Sequence, residues 1–435
     1  MSKPKKILFL AHGNNDIDHY LPIISNLNKK FFEKFLFFVP DNNSAGISKF
    51  HSHLLKKEKI KIIYSINIIS NIFLKFLVIL SYKLKKIRLS KIQNNTIYKF
   101  FNIADYFVKT LLDFLVSKIE NEKNFDNFIT KNEFNIAVID IIGISKEDSK
   151  KNFFKYVMFN LVHKLKSKKI PILMISHGAV IRHFKKSKAE KQKNNIKPNL
   201  LSVCNSYEID FYKDYAANKK TMKILGDVRY DYNWIKYLKR ENKKFSKNII
   251  SNNKIKVLYI MGNLTFINNK IVEKKINEEI NNLLTDFSNI ELWVKLHPRA
   301  NVAFRGFKNP NLKIFGNEVD TSLLVELSDI VLSTFSGILT QSIIQKKRTI
   351  FYDSWKRHLK NNKTIFDKTP CVKKISNYND LKQEISKFSK NKKISKIAIN
   401  QFYKKFISGN TPLSVSIINK YINTINLLLK SKIQA

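Results

Sequence analysis

The chain has 435 residues, with 79 Lys plus Arg against 34 Asp plus Glu and a formal charge of +45. Its 44% hydrophobic content and 33 Phe supply sizeable cores, which excludes a disordered basic tail, while only ten Gly and nine Pro exclude a collagen-like or linker-dominated chain. Two cysteines, Cys204 and Cys371, are too few for a disulfide framework or a cysteine-rich zinc site, so a large globular protein of about two to three domains in a reducing compartment is expected.

In chain order, Lys5-Lys6 leads into Ile7–Ala11, whose apolar run stops at His12-Gly13. That is too short for a secretory h-region and reads as a buried first strand. A helix over Leu21–Lys30 and a strand over Phe35–Val39 follow. Apolar residues recurring at three and four predict helices through Ile60–Ile87 and Ile97–Glu120. Ile136–Ile142 reads as a strand, Phe153–Lys166 as a helix, and Ile170–Ile175 as a strand ending in Ser176-His177-Gly178. Short apolar runs at Leu200–Asn205 and Ile224–Leu225 lead to Gly226-Asp227. The Lys- and Asn-rich stretch Tyr237–Asn253 lacks apolar periodicity and reads as a linker or a poorly packed surface helix.

The alternation then restarts. Strands are expected at Lys256–Met261, Ile290–Leu296, Leu312–Phe315, Ile330–Ser333 and Thr349–Tyr352. Helices fall at Val272–Leu284, Ser322–Leu327 and Ile338–Gln345, with a helical tail beyond. Strands separated by helices imply parallel sheets covered on both faces. The predicted fold is therefore α/β, with two Rossmann-like domains whose parallel sheets face a central cleft. Residues 1–236 form the first domain, 237–253 the linker and 254–435 the second domain with its closing helical tail.

Ligands of open parallel sheets bind at the carboxyl ends of the strands, so polar residues just after strands carry the functional weight. One such end is Lys295-Leu296-His297-Pro298-Arg299, an imidazole flanked by two cations, which suits a phosphate. A second is Ser333-Thr334-Phe335-Ser336-Gly337 at the start of a helix, an anion seat of hydroxyls and N–H groups. Ordinary N-capping explains one hydroxyl there but not the cluster. Gly262-Asn263 closes another strand of the same half. In the first half, His177 on a strand-end turn is a candidate general base. His12-Gly13-Asn14-Asn15-Asp16-Ile17-Asp18-His19 offers Asp16 and Asp18 to orient a histidine, act as base or hold a metal. Walker-type loops, a complete Gly-x-Gly-x-x-Gly, His-Glu-x-x-His and Gly-x-Ser-x-Gly are all absent, which removes the commonest NTPase, dehydrogenase and hydrolase readings.

The His297-Pro298 pair with the Ser/Thr cluster at 333–336 resembles the second-half signature of GT-B-fold bacterial surface-polysaccharide transferases. It is similar to the His-Pro and serine motifs of sialyl- and Kdo-type transferases and of CDP-glycerol glycerophosphotransferases. Ser176-His177-Gly178 resembles the His-Gly of the glycerophosphotransferases, and Gly226-Asp227-Val228-Arg229-Tyr230-Asp231 a segment preceding the second domain of capsule-type transferases. The acidic motif of sialyltransferases is missing, and Ala179-Val180 follow Gly178 where Thr-Pro is expected.

The resemblance implies transfer of a sugar or polyol phosphate from a nucleotide-activated donor (CMP-, CDP- or UDP-linked) to a glycan or lipid-linked acceptor hydroxyl. His177 or Asp18 would take the acceptor proton. The donor would lie against His297, Lys295, Pro298, Arg299, Gly262, Asn263, Ser333, Thr334, Ser336 and Gly337. No metal or other cofactor is expected, because protein cations and N–H groups can neutralise the leaving phosphate. A nucleotide-sugar 2-epimerase acting on UDP-GlcNAc is the first alternative.

A pI near 10.0 suggests a nucleic-acid-binding protein as the second alternative, but no recognition motif supports it. The Lys excess reads chiefly as solvated surface. The expected location is cytoplasmic, with peripheral contact to an anionic membrane as a further expectation. That contact would use the interrupted apolar stretch Ile60–Tyr82 and the following Lys83, Lys85, Lys86 and Arg88.

Overall fold

The computed structural model describes residues 3–39, 47–90, 95–119, 123–141, 153–176, 197–245, 253–261, 269–295, 309–316, 319–334, 336–354, 364–388 and 394–431. The first half is built on β1 (Lys5–Ala11), β2 (Phe32–Phe38), β3 (Lys61–Tyr64), β4 (Ile136–Asp140), β5 (Ile172–Ile175), β6 (Leu200–Val203) and β7 (Met222–Ile224). They form a 7-stranded sheet in the order β3-β2-β1-β4-β5-β6-β7, and neighbours pair parallel throughout. β4 and β5 are buried at every residue, as strands covered on both faces must be.

The helices of this half are α1 (Asn14–Asn26), α2 (Lys49–Lys57), α3 (Ile72–Ser90), α4 (Asn95–Ile119), α5 (Lys123–Asn132), α6 (Phe153–Ser167) and α7 (Tyr207–Tyr212). α2, α5 and α7 have no counterpart in the sequence expectation, and two expected helices take other bounds. The helix expected from Leu21 begins at Asn14, because the Asp16 carboxylate accepts from the main-chain N–H of His12 at 2.6 Å and of Gly13 at 3.3 Å and so organises the first turn. The helix expected from Ile60 is broken. Lys61–Tyr64 is instead the edge strand β3, and α3 starts at Ile72. Ile62 and Ile63 fit either period, and pairing with Leu36 and Phe37 decides between them.

Residues 232–245, most of which had been expected in a linker or loose surface helix, form α8 (Tyr232–Phe245). This helix is anchored, with Trp234, Glu241 and Asn242 buried. The second half holds β8 (Ile255–Ile260), β9 (Ile290–Lys295), β10 (Leu312–Phe315), β11 (Ile330–Ser333), β12 (Arg348–Tyr352) and β13 (Lys373–Ile375). They make a 6-stranded parallel sheet ordered β10-β9-β8-β11-β12-β13. Its helices are α9 (Asn269–Asp286), α10 (Thr321–Leu327), α11 (Ile338–Ile344) and α12 (Tyr378–Ser386).

The chain then returns to the first half through α13 (Lys396–Phe402) and α14 (Ile417–Ser431). Tyr421 donates to the Gly226 carbonyl at 2.9 Å and meets the Ser202 hydroxyl at 2.8 Å. Asp231 accepts from Ser416 Oγ at 2.9 Å and from the Ile418 N–H at 3.2 Å. Gly226 has φ +96, and a Cβ there would stand 2.9 Å from the Ile407 carbonyl oxygen, so this crossing requires glycine. One hydrophobic core runs from the face of β1 that carries Ile7 and Phe9, through α14, into the second sheet. A second core fills the opposite face of the first sheet under α3, α4 and α6. Among the described residues, no helix is long and apolar enough to cross a membrane.

Candidate functional site

Each sheet reverses its strand order at its centre. In the first sheet the switch lies between β1 and β4, where Leu10 pairs with Ile139. In the second it lies between β8 and β11, where Ile260 pairs with Ser333. The crevice beyond such a switch is where open parallel sheets hold ligands.

The first crevice is lined by α1, which starts directly after β1 and carries Asp16, Asp18 and His19. Asp16 is buried and its carboxylate also pairs with the His12 imidazole. His19 and Asp140, the last residue of β4, are buried together with His19 Nδ1 3.6 Å from Asp140 Oδ2. Asp18 faces outward from this wall, with its side chain 43% exposed. Its Oδ1 lies 2.7 Å from Nε2 of His51, a buried residue on α2. His51 is oriented from behind, because the Ser48 hydroxyl sits 2.6 Å from Nδ1. Burial disfavours the imidazolium, but the Asp18 charge and hydrogen bond, with Asp320 beyond, outweigh it and raise the His51 pKa.

Asp320 comes from the second half. It caps α10 by accepting from the Ser322 N–H at 2.8 Å. Asp18, His51 and Asp320 each offer one ligand atom, and these atoms lie within 4.8 Å of one another. The set has the donor chemistry of a divalent-cation site, yet the Ser48 and Asp18 hydrogen bonds already account for the orientation of His51.

A third wall is the segment 226–231. Asp227 accepts from Arg229 Nε at 3.1 Å and Nη2 at 2.8 Å, a bidentate pair. Burial pushes the Asp227 pKa up, and the guanidinium more than reverses this, so the carboxylate is held below its ordinary value. Next to it, Tyr230 donates to the Gly337 carbonyl at 3.2 Å, on the turn between β11 and α11. This hydrogen bond brings the carboxyl end of the second sheet to the first crevice.

Of the expected donor residues, Ser333 and Lys295 are occupied elsewhere. The buried Ser333 hydroxyl donates to the Ile260 carbonyl at 2.8 Å. The buried Lys295 ammonium donates to the Gly316 carbonyl and to that of Val319, 3.0 Å away. Thr334 is buried beside Ser333, and Ser336 Oγ accepts from the Ile338 N–H at 3.4 Å, as a helix-start hydroxyl does. Gly337 precedes α11 and receives Tyr230. His177, His297, Pro298, Arg299, Gly262 and Asn263 lie outside the described residues.

The sequence reading missed His51, Asp140 and Asp320 as site residues and gave Asp227 and Arg229 no role. Two signals for them exist. Asp140 interrupts the apolar run Ile136–Ile142, and Asp320 stands two residues before the helix expected from Ser322. Nothing local marks His51, which lies on a short helix that was not expected.

No family profile and no curated protein matches the chain. Solved structures do match along nearly the whole chain. A putative UDP-N-acetylglucosamine 2-epimerase from Listeria monocytogenes superposes with a TM-score of 0.55 at 10% identity, covering 98% of this chain and 96% of that one. The UDP-GlcNAc 2-epimerase of Neisseria meningitidis, bound to UDP-GlcNAc, gives 0.55 at 13% identity over 98% and 100%. The wall teichoic acid polymerase TagF gives 0.56 at 12% identity over 99% and 90%. The fold is GT-B-like. At such identities the likeness shows the fold alone, to which epimerase and polymerase are equally near.

Proposed function

We propose that the chain is an enzyme acting on a nucleotide-activated donor, transferring a sugar or polyol phosphate to an acceptor hydroxyl in surface-polymer synthesis. The observation that carries this reading is the position of Asp18. A half-exposed carboxylate, steered by a buried histidine, stands in the turn of helix that follows β1 and meets Asp320 of the second half, their ligand atoms within 4.8 Å of one another. The fold neighbours support a nucleotide ligand, since one holds UDP-GlcNAc and a TagF crystal was soaked with CDPG.

In the proposed reaction the acceptor O–H loses its proton to Asp18. The acceptor oxygen attacks the donor carbon or phosphorus, and the bond to the nucleotide phosphate breaks with its electron pair leaving on that phosphate. His51 holds the Asp18 carboxylate in position rather than touching the acceptor. Arg229 is a nearby cation for the donor. His297, Arg299 and the Ser336–Gly337 turn complete the leaving-group side, and His177 is the alternative base. A nucleotide-activated donor implies work on the cytoplasmic side of the envelope.

The second reading is a nucleotide-sugar 2-epimerase, favoured by full-length neighbours of that description at the same TM-score. A thermal-shift panel of CMP-, CDP-, UDP- and GDP-linked donors tests both, because a ligand of the native state raises its apparent stability. NMR of the stabilising donor then separates them. Epimer formation without acceptor supports the epimerase, nucleotide release that requires acceptor supports the transferase, and no stabilisation by any donor removes both.

A further inference from the structure

The hairpin of α3 and α4 has an inner face that is ordinary core, with Leu74, Leu77, Val78 and Leu112 buried. Ser81 Oγ donates to Asp105 Oδ1 at 2.8 Å between the two helices, which fixes how each is rotated and therefore what it shows outward. What it shows is apolar. Phe73 is 49% exposed, Phe76 55%, Phe100 66%, Ile103 57%, Phe107 68% and Phe114 59%. Positions 100, 103, 107 and 114 fall on one helical stripe, and those of α3 lie on the adjoining helix. Single exposed apolar residues need no explanation, but an aromatic stripe across two packed helices does.

Charge identifies the occupant. Between residues 72 and 119 the carboxylates are Asp105 and Asp113, against basic residues at 75, 83, 85, 86, 88, 91, 99, 109 and 118. Both carboxylates turn inward. Asp105 is buried against Ser81, and Asp113 accepts from the Phe153 N–H at 2.7 Å. Lys83 and Lys99 are exposed, whereas Lys85 is buried and takes no part. The outward face thus presents aromatic rings, the half-exposed hydroxyl-bearing ring of Tyr82 and cations. A second copy seated here would bring two chains of charge +45 together. An anionic bilayer has the complementary sign and accepts the rings at headgroup depth.

We infer that the outward face of the α3–α4 hairpin docks on the surface of an anionic membrane, lying in its interface without spanning it. The inference is independent of the proposed chemistry, since it concerns a different face and is read without donor or acceptor.

Flotation of the full chain with phosphatidylcholine vesicles, with and without phosphatidylglycerol, is the test. Binding is expected with phosphatidylglycerol, weakened by salt, and at least about tenfold lower on the neutral vesicles. Combined Phe76→Ser, Phe107→Ser and Phe114→Ser should lower binding to anionic vesicles about tenfold or more with an unchanged circular dichroism spectrum. Should that variant not fold, Phe107→Cys carrying an environment-sensitive fluorophore decides, because Cys204 and Cys371 are buried. A blue shift on anionic vesicles supports docking and its absence overturns it. Failure to float, flotation indifferent to the serine substitutions, or a solution dimer that those substitutions dissolve would each overturn the proposal.

Discussion

The phenol of Tyr230, just ahead of α8, donates to the carbonyl of Gly337, 3.2 Å away at the head of α11. Tyr230 is itself buried against the first half, so this single bond ties the wall containing Arg229 to the strand-end turn of the second sheet. Tyr230→Phe keeps the ring and removes the bond. A loss of about 0.5–1.5 kcal/mol in urea unfolding is expected. Any change in donor KM should exceed the change in kcat, because the bond positions the turn.

Asp18→Asn tests the proposed base. Turnover should fall about 10²–10⁴-fold with donor affinity nearly intact. His51 should respond as well. Its raised pKa means that the pair stabilises the fold fully below the ordinary histidine value and loses that contribution as pH rises through the folded value. Without the Asp18 charge, burial prevails and the His51 pKa should drop, which NMR titration of the imidazole reads directly. An unchanged titration would separate His51 from Asp18.

Lys295 separates a structural from a donor-binding role. Its ammonium is buried and donates to the carbonyls of Gly316 and Val319. Lys295→Met should therefore cost roughly 2 kcal/mol in denaturant unfolding, the scale of hydrogen bonds from a charged group. Donor KM in the folded fraction should change little. A large KM effect with normal stability would return Lys295 to the donor site.

Glu241 on α8 is hydrogen-bonded by Lys57 at 2.7 Å and Lys244 at 3.0 Å, with His53 at 3.3 Å. Burial pushes its pKa up, but these hydrogen bonds prevail and bring it to about 2. A depressed carboxylate stabilises above its ordinary pKa and loses that contribution as pH falls through the lower value. Glu241→Gln should thus be less stable by about 1 kcal/mol at neutral pH, given how exposed Lys57 and Lys244 are, and the gap should close towards pH 2. Chemical unfolding across pH measures it.

Much of the architecture was legible because parallel strands buried on both faces read as unbroken apolar runs. Ile136–Ile139 and Ile172–Ile175 are of this kind, and Ile290–Lys295 is buried at every residue although Glu291 interrupts its run. β3 was not legible, since an edge strand that is only half covered has no such run and its two isoleucines also fit the helix period. The site was legible only in part. Asp18 stood out at a strand end, but its partner His51 lies 33 positions away on a short helix. Asp320 meets that pair only because the two sheets face each other, and local patterning carries no trace of such a meeting. Ser333 shows the converse ambiguity, because a hydroxyl at a strand end looks the same in sequence whether it faces a ligand or donates to the next strand's carbonyl, as it does to Ile260.

The return of α14 to the first half also sets an order of events during translation. Ile417, Ile418, Tyr421 and Ile425 are buried and share one core with Phe9, Tyr20 and Val138. The ribosome finishes the strands of the first half some two hundred residues before it delivers the helix that completes the cover of this face, residues 417–431 against a last strand at 222–224. Throughout that interval the nascent first half exposes the apolar seam that α14 later seals, a setting in which partly folded chains aggregate. Synthesis halted anywhere between the two therefore leaves a first sheet covered on this face by α1 and α2 but open where Ile417, Ile418, Tyr421 and Ile425 would pack, a natural client for a holding chaperone.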